Sequence, residues 1–175
     1  DFYKSLDRAL TEITIVSDMS RSQVQELTQE FIKLSAQTGM AIDDIAQASV
    51  IFFQQGLSTK EVMEMTEVTA QFAKVAGSTV EKAADQLTAA VNGFQVGVEG
   101  AIDVADKLNA VAAKSAASID EIATAMSKAA SQANQAGLSM DKFYAILATM
   151  EEVTREAPEN IGTSMKTIMA RMQQI

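Results

Sequence analysis

One stretch of this chain is written twice. Ile42-Asp43-Asp44-Ile45-Ala46-Gln47-Ala48 returns as Ile119-Asp120-Glu121-Ile122-Ala123-Thr124-Ala125, and Gln55-Gly56-Leu57-Ser58 returns as Ala136-Gly137-Leu138-Ser139. The first landmark recurs after 77 positions and the second after 81, so the later copy holds four additional residues between them. A unit of this length used twice is a supersecondary module. The duplication also bears on use, because a single active site seldom needs two copies of its scaffold.

The module reads as short helices of about 14–18 residues at a period of 3.6. After a first stretch from Phe2 to about Val16, Val24, Leu27, Phe31 and Leu34 share one helix face. Ile42, Ile45, Ser49 and Phe52 share the next, then Val62, Met65, Thr69 and Phe72, then Val80, Ala83, Leu87, Val91 and Phe94. The second copy follows with Ala105, Leu108 and Val111; Ile122, Met126 and Ala130; Phe143, Ile146, Leu147 and Met150; and Ile161, Met165, Ile168 and Met172. Capping boxes, in which a Ser hydroxyl takes an orphan N–H and a residue three places on reaches back, are predicted at Ser20/Gln23, Ser58/Glu61, Ser78/Glu81 and Ser118/Glu121. Gly39, Gly56, Gly77 and Gly137 sit where a left-handed residue closes a helix, and Pro158, the only proline, opens the last one. Gly93-x-x-x-Gly97 and Gly100 read as a loosened junction, with Gly93 marking a turn. No alternating strand pattern of useful length occurs. The expected fold is all-α, a tandem repeat of short antiparallel helices forming an elongated bundle. Its expected parts are a leading helix over 1–21, one helical repeat over 22–97 and a second over 98–175. The last helix is expected to run through Ile175, as in a piece of a longer protein.

Composition removes most chemistry. The 175 residues contain no His and no Cys. The commonest general base, the commonest metal ligand and the usual nucleophile pairs are therefore missing, along with disulfides and thiolate sites. We assign no catalytic, cofactor-binding or metal residues and expect no cofactor. The net charge is −9 and the 14 basic residues form no patch, so specific nucleic-acid binding is not expected. No stretch approaches the roughly 20 apolar residues of a membrane span. The acidic pairs Asp43-Asp44, Asp120-Glu121 and Glu151-Glu152 could serve acid–base chemistry only if they faced each other across a cleft. The first two lie in first helical turns, where negative charge complements the helix dipole.

Aromatics are 5% of the chain, and the core must be built from Ala, Ile, Leu, Val and Met. Ten methionines fit such packing, although a Met-rich face also suits a partner. The candidate partner-contact residues are Phe52 and Phe53, of which one ring is expected in the core and the other against a neighbour, and Met165, Met169 and Met172 on the last helix.

Several stretches in order resemble one family. They are Ala48-Ser49-Val50-Ile51-Phe52-Phe53-Gln54-Gln55-Gly56-Leu57-Ser58, Leu87 through Phe94, Asp106-Lys107-Leu108-Asn109, Gln135-Ala136-Gly137-Leu138-Ser139, and Ile161-Gly162-Thr163-Ser164-Met165-Lys166-Thr167-Ile168. Together, from about Phe2 to Met172, the chain resembles the core region of the phage tail tape measure (minor tail) protein family. Arg155-Glu156-Ala157-Pro158 departs from the family in being more polar than its usual Gly-rich approach to the last element. The resemblance implies a structural protein in the lumen of the virion tail tube, made in the host cytoplasm. Such a protein sets tube length, nucleates tube assembly and leaves ahead of DNA. It also implies a homo-oligomer whose partners are tail tube subunits, tail tip or baseplate proteins and tail assembly chaperones, with relatives in prophages and tailocins. Membrane contact would come only at ejection.

A continuous helix of this length would span roughly 260 Å at 1.5 Å per residue. Caps and glycines at short intervals instead predict a folded knob, with measuring left to longer helices elsewhere. The alternatives are a membrane-active bundle that aids genome delivery, against which the acidic charge argues, and a helical interaction module unconnected with phages. A cell-wall hydrolase, the enzymatic rival, would have to lie outside these residues.

Overall fold

The computed structural model describes residues 2–172, with side chains from Tyr3 onward. Nine α-helices account for most of them: α1 (Phe2–Ser17), α2 (Arg21–Thr38), α3 (Ile42–Gln54), α4 (Thr59–Ala76), α5 (Val80–Phe94), α6 (Ala101–Ala112), α7 (Ile119–Gln135), α8 (Met140–Thr154) and α9 (Pro158–Met172). A 3₁₀ turn over Val98–Gly100 precedes α6, and no strand occurs among the described residues. The architecture is all-α, as the apolar period predicts. The expected run of the last helix through Ile175 falls on Gln173–Ile175, outside the described residues.

Local chemistry sets the helix ends. The Ser20 hydroxyl accepts the Gln23 N–H while Gln23 Oε1 accepts the Ser20 N–H. Ser58 with Glu61 and Ser118 with Glu121 close the same reciprocal box. At α5 the predicted Ser78/Glu81 box gives way to a cap one residue later, where Thr79 Oγ1 accepts the Lys82 N–H at 3.2 Å. The reason is that Ser78 already belongs to the preceding helix. Its N–H closes α4 on the Ala73 carbonyl at 3.0 Å, beyond the left-handed Gly77.

The structure divides into two compact units, Asp1–Ala84 and Asp85–Ile175, with the division inside α5. In the first, α3 is the central helix and packs against α1, α2 and α4, while α2 also meets α4. Phe31, Phe52, Ile13, Ile45 and Met65 are enclosed there. In the second, α7 is central and packs against α6, α8 and α9, with Leu108, Ile122, Met126, Phe143, Tyr144 and Leu147 enclosed. Each fully buried side chain of this size stabilises its unit by about 1.5–3 kcal/mol relative to exposure.

The four extra residues of the second copy have a structural meaning. The central helix α3 has 13 residues and its counterpart α7 has 17, so the insertion is one further helical turn. A turn of insertion keeps every apolar position on its original face, whereas two residues would have turned the core side outward. Both helices then stop at a left-handed glycine, Gly56 or Gly137, and a Ser starts the next helix.

Candidate functional site

The acidic pairs are structural in their contacts. Asp43 and Asp44 lie in the first turn of α3, where burial first, and then Asp43 and Glu81, push the Asp44 carboxyl up from its ordinary value. Asp120 Oδ1 accepts from Gln86 Nε2 at 3.1 Å, and the same amide reaches Thr124 Oγ1 at 3.0 Å, so a buried glutamine of α5 clamps the start of α7. Glu121 serves the cap, and its hydrogen bonds from the Ser118 backbone and hydroxyl hold its carboxyl below the usual range. Glu152 Oε1 accepts the Ala116 N–H at 2.6 Å. Glu151 is buried on α8, and burial, followed by Glu121 and Glu159, pushes its carboxyl up.

Lys107 links helices as well, reaching Asp103 at 2.9 Å and Asp141 at 3.5 Å, which joins α6 to the start of α8. Its ammonium is held above the usual range, chiefly by the Asp103 hydrogen bond. Among the described residues no three His, Cys, Asp or Glu side chains come together as a metal cage, and no helix is long and apolar enough to cross a membrane. A groove of about 530 Å³ between α2 and α4 has Leu34 and Met63 as its apolar floor. The pairs Lys33–Glu30 and Lys60–Glu64 stand on its rim. Glu67 accepts from Gln71 Nε2 at 3.3 Å, and the lining carries no convergent set of reactive groups.

What remains as candidate function is the set of apolar helix faces. Of the five residues singled out by sequence, Phe52, Phe53, Met165 and Met169 are buried, and only Met172 faces outward at 67% exposure. The sequence did not single out Ile168, one turn before Met172 on α9, which is 48% exposed. The available signal was that α9 carries apolar residues at Ile161, Met165 and Met169 and again at Ile168 and Met172, which is wider than one face needs.

Two glycines show how close the central helix is approached. The expectation of a turn at Gly93 is corrected by the structure, where it lies inside α5. A Cβ built there would stand 2.5 Å from that of Ala130 on α7. Gly93 lets two backbones cross closely, as small residues do at tight helix crossings, and the turn is made further on, at the left-handed Gln95 (φ +56°) and then Gly97 (φ +73°). Gly162 of α9 does the same from another side, because a Cβ there would run into the Ala125 carbonyl and Lys128. Around these crossings Phe94, Phe143 and Tyr144 form an aromatic cluster with ring centroids 6.0–6.4 Å apart.

Comparison with known proteins places this helical module. The family described as phage-related minor tail protein matches residues 28–174. The probable tape measure protein of Escherichia phage P2 is 24% identical over 152 residues, covering 87% of this chain and 18% of that protein. The tape measure protein of Pneumococcus phage Dp-1 is 21% identical over 163 residues, covering 93% of this chain and 14% of that protein. The chain thus spans less than a fifth of the length of either relative. No solved structure matches it.

Proposed function

The chain belongs to the phage-related minor tail protein family, and we propose that it is a folded structural module of a tape measure protein within the phage tail. The observation that carries this reading is the match to two tape measure proteins over nearly all of a chain whose contacts are packing and capping. In this role the protein lies in the tube lumen, acts in several copies, and meets tube, tip or baseplate subunits and assembly chaperones through helix faces. It leaves ahead of DNA. The work is structural and no reaction is assigned to it.

Within that role the segment is a knob and not a ruler. Its longest described helices have 18 residues, about 27 Å each, and within each unit the helices pack around a central one. Length is then set by longer helical stretches elsewhere in the protein. Duplicating residues 1–175 inside the full protein and measuring tails by electron microscopy tests this. Tails of unchanged length are expected. Tails longer by roughly 260 Å per added copy would overturn the knob and make this segment part of the ruler. Loss of the whole gene is expected to abolish tails or make their lengths irregular, and normal tails would overturn the tape measure reading itself.

A further inference from the structure

Helices α1, α5 and α9 recur at offsets of 77 and 78 positions and present a common face, which on α9 is exposed among the described residues. On α5 it is formed by Gln86, Ala90 and Phe94, all buried. Within the second unit this face receives α7 and α8: Gln86 bonds Asp120 and Thr124, Gly93 meets Ala130, and Phe94 meets Phe143 and Tyr144. Helix α1 shows the same arrangement 77 positions earlier, the offset that relates α3 to α7. Its Ala9 and Ile13 are fully buried, and α1 packs on α3.

Helix α9 is the third member. Its buried residues Ile161, Gly162, Met165 and Met169 lie 78 positions after Ala83, Ala84, Leu87 and Val91, which are the other buried face of α5. Carried over by the same 78 positions, Gln86, Ala90 and Phe94 become Ser164, Ile168 and Met172. All three are exposed, Ile168 at 48% and Met172 at 67%. A helix that buries one of two faces and leaves the apolar counterpart of the other exposed has room for a further helix.

We propose that the Ser164–Ile168–Met172 face of α9 is the seat of a third α7-type helix. That helix would be supplied by polypeptide following residue 175 in the full protein, whose curated relatives are more than five times the length matched here. Arg171 stands where Gly93 permits backbone contact in α5, so the third helix crosses α9 at ordinary side-chain distance.

Methionine oxidation tests this, since a thioether sealed under a helix reacts slowly with peroxide. In the piece comprising residues 1–175, Met172 should oxidise readily while Met165 and Met169 resist. In the full protein Met172 should react on the order of tenfold more slowly, and Ile168→Lys in that full protein should restore the fast rate by expelling the incoming helix. Equal Met172 rates in piece and full protein would overturn the proposal. So would slow oxidation in the piece alone that rises and falls with concentration, because a second copy would then be the occupant. Protection in the full protein that survives Ile168→Lys would overturn it too, since the cover would not sit on this face. None of these outcomes depends on tail length, so the proposal can fail while the structural role stands.

Discussion

Phe52-Phe53 in α3 and Ala129-Ala130 in α7 occupy the same two places in the repeat, 77 positions apart, and all four are buried. The first unit fills the space around its central helix from that helix outward, with two rings. The second unit keeps its central helix thin and brings the volume to it: Phe94, Phe143 and Tyr144 arrive from the neighbouring helices, and Gly93 and Gly162 let backbones come close. Burial pattern is shared while side-chain volume is redistributed. What the duplication preserves is the period and the caps, and cores of similar density can then be packed from different residues.

The sharpest way to break this contrast is to remove volume where the first unit keeps it. Phe52→Ala should cost about 3–5 kcal/mol, since the ring is enclosed and its neighbours collapse only partly into the hole. Urea denaturation would show it as a fall in the midpoint. A loss under about 1 kcal/mol would mean that α3 does not carry the core as α7's neighbours do.

Next in size is Gly162→Ala, where two effects of opposite sign compete. Replacing a mid-helix glycine by alanine gains up to about 1 kcal/mol of helix propensity. The new methyl would strike the Ala125 carbonyl, and backbone cannot swing aside as a side chain can, so overpacking of about 1–3 kcal/mol should win. Net destabilisation in a thermal melt is expected, and a rise in Tm would show the α7–α9 crossing to be loose. The first unit offers the control. Gly39, Gly56 and Gly77 have nothing near a built Cβ, so there alanine is opposed only by positive φ.

The helices were legible because period and caps agree. Val24, Leu27, Phe31 and Leu34 mark the buried face of α2, and the Ser20, Ser58 and Ser118 boxes start helices where the residues place them. Gly93 was not legible. A glycine near two others reads as a breaker, and only the neighbouring helix shows that its missing Cβ is a contact. Phe53 and Met169 were ambiguous for a related reason, since an apolar residue at helical spacing looks alike whether its cover is a core or a partner. The kinship of α9 with α5 was hidden from sequence because the two share little beyond Glu81 and Glu159. It emerges from which positions are buried.

The caps are where the two units should agree. Ser118→Ala should cost about 1 kcal/mol by stripping the α7 N-terminus of its hydroxyl acceptor. It should also remove the hydroxyl's share of the lowering of the Glu121 carboxyl, while the larger share, from the backbone N–H of residue 118, stays. A group with a lowered folded pKa contributes stability above its unfolded value of 4.5, and that contribution is lost as pH falls through the folded value. The variant should therefore lose part of the wild type's acid sensitivity, and an unchanged pH profile of the urea midpoint would count against the box.

The smallest expected effect separates the units at a single position. Ala70 of α4 and Glu151 of α8 correspond at the later offset of 81 and are both buried, the alanine without charge and the glutamate with one. Burial, Glu121 and Glu159 raise the Glu151 carboxyl, so the folded state holds a proton that the unfolded chain has given up above 4.5. The sign is opposite to that of the cap: this contribution is fully present below 4.5 and is lost as pH rises through the folded value. Glu151→Gln keeps the shape and removes the charge. It should raise the midpoint modestly at pH 7 and leave it near wild type at pH 4, which moves the second unit toward the uncharged interior that Ala70 gives the first. A midpoint lowered at pH 7 would instead show that the carboxylate is held by favourable contacts and that the two interiors differ by design at this position.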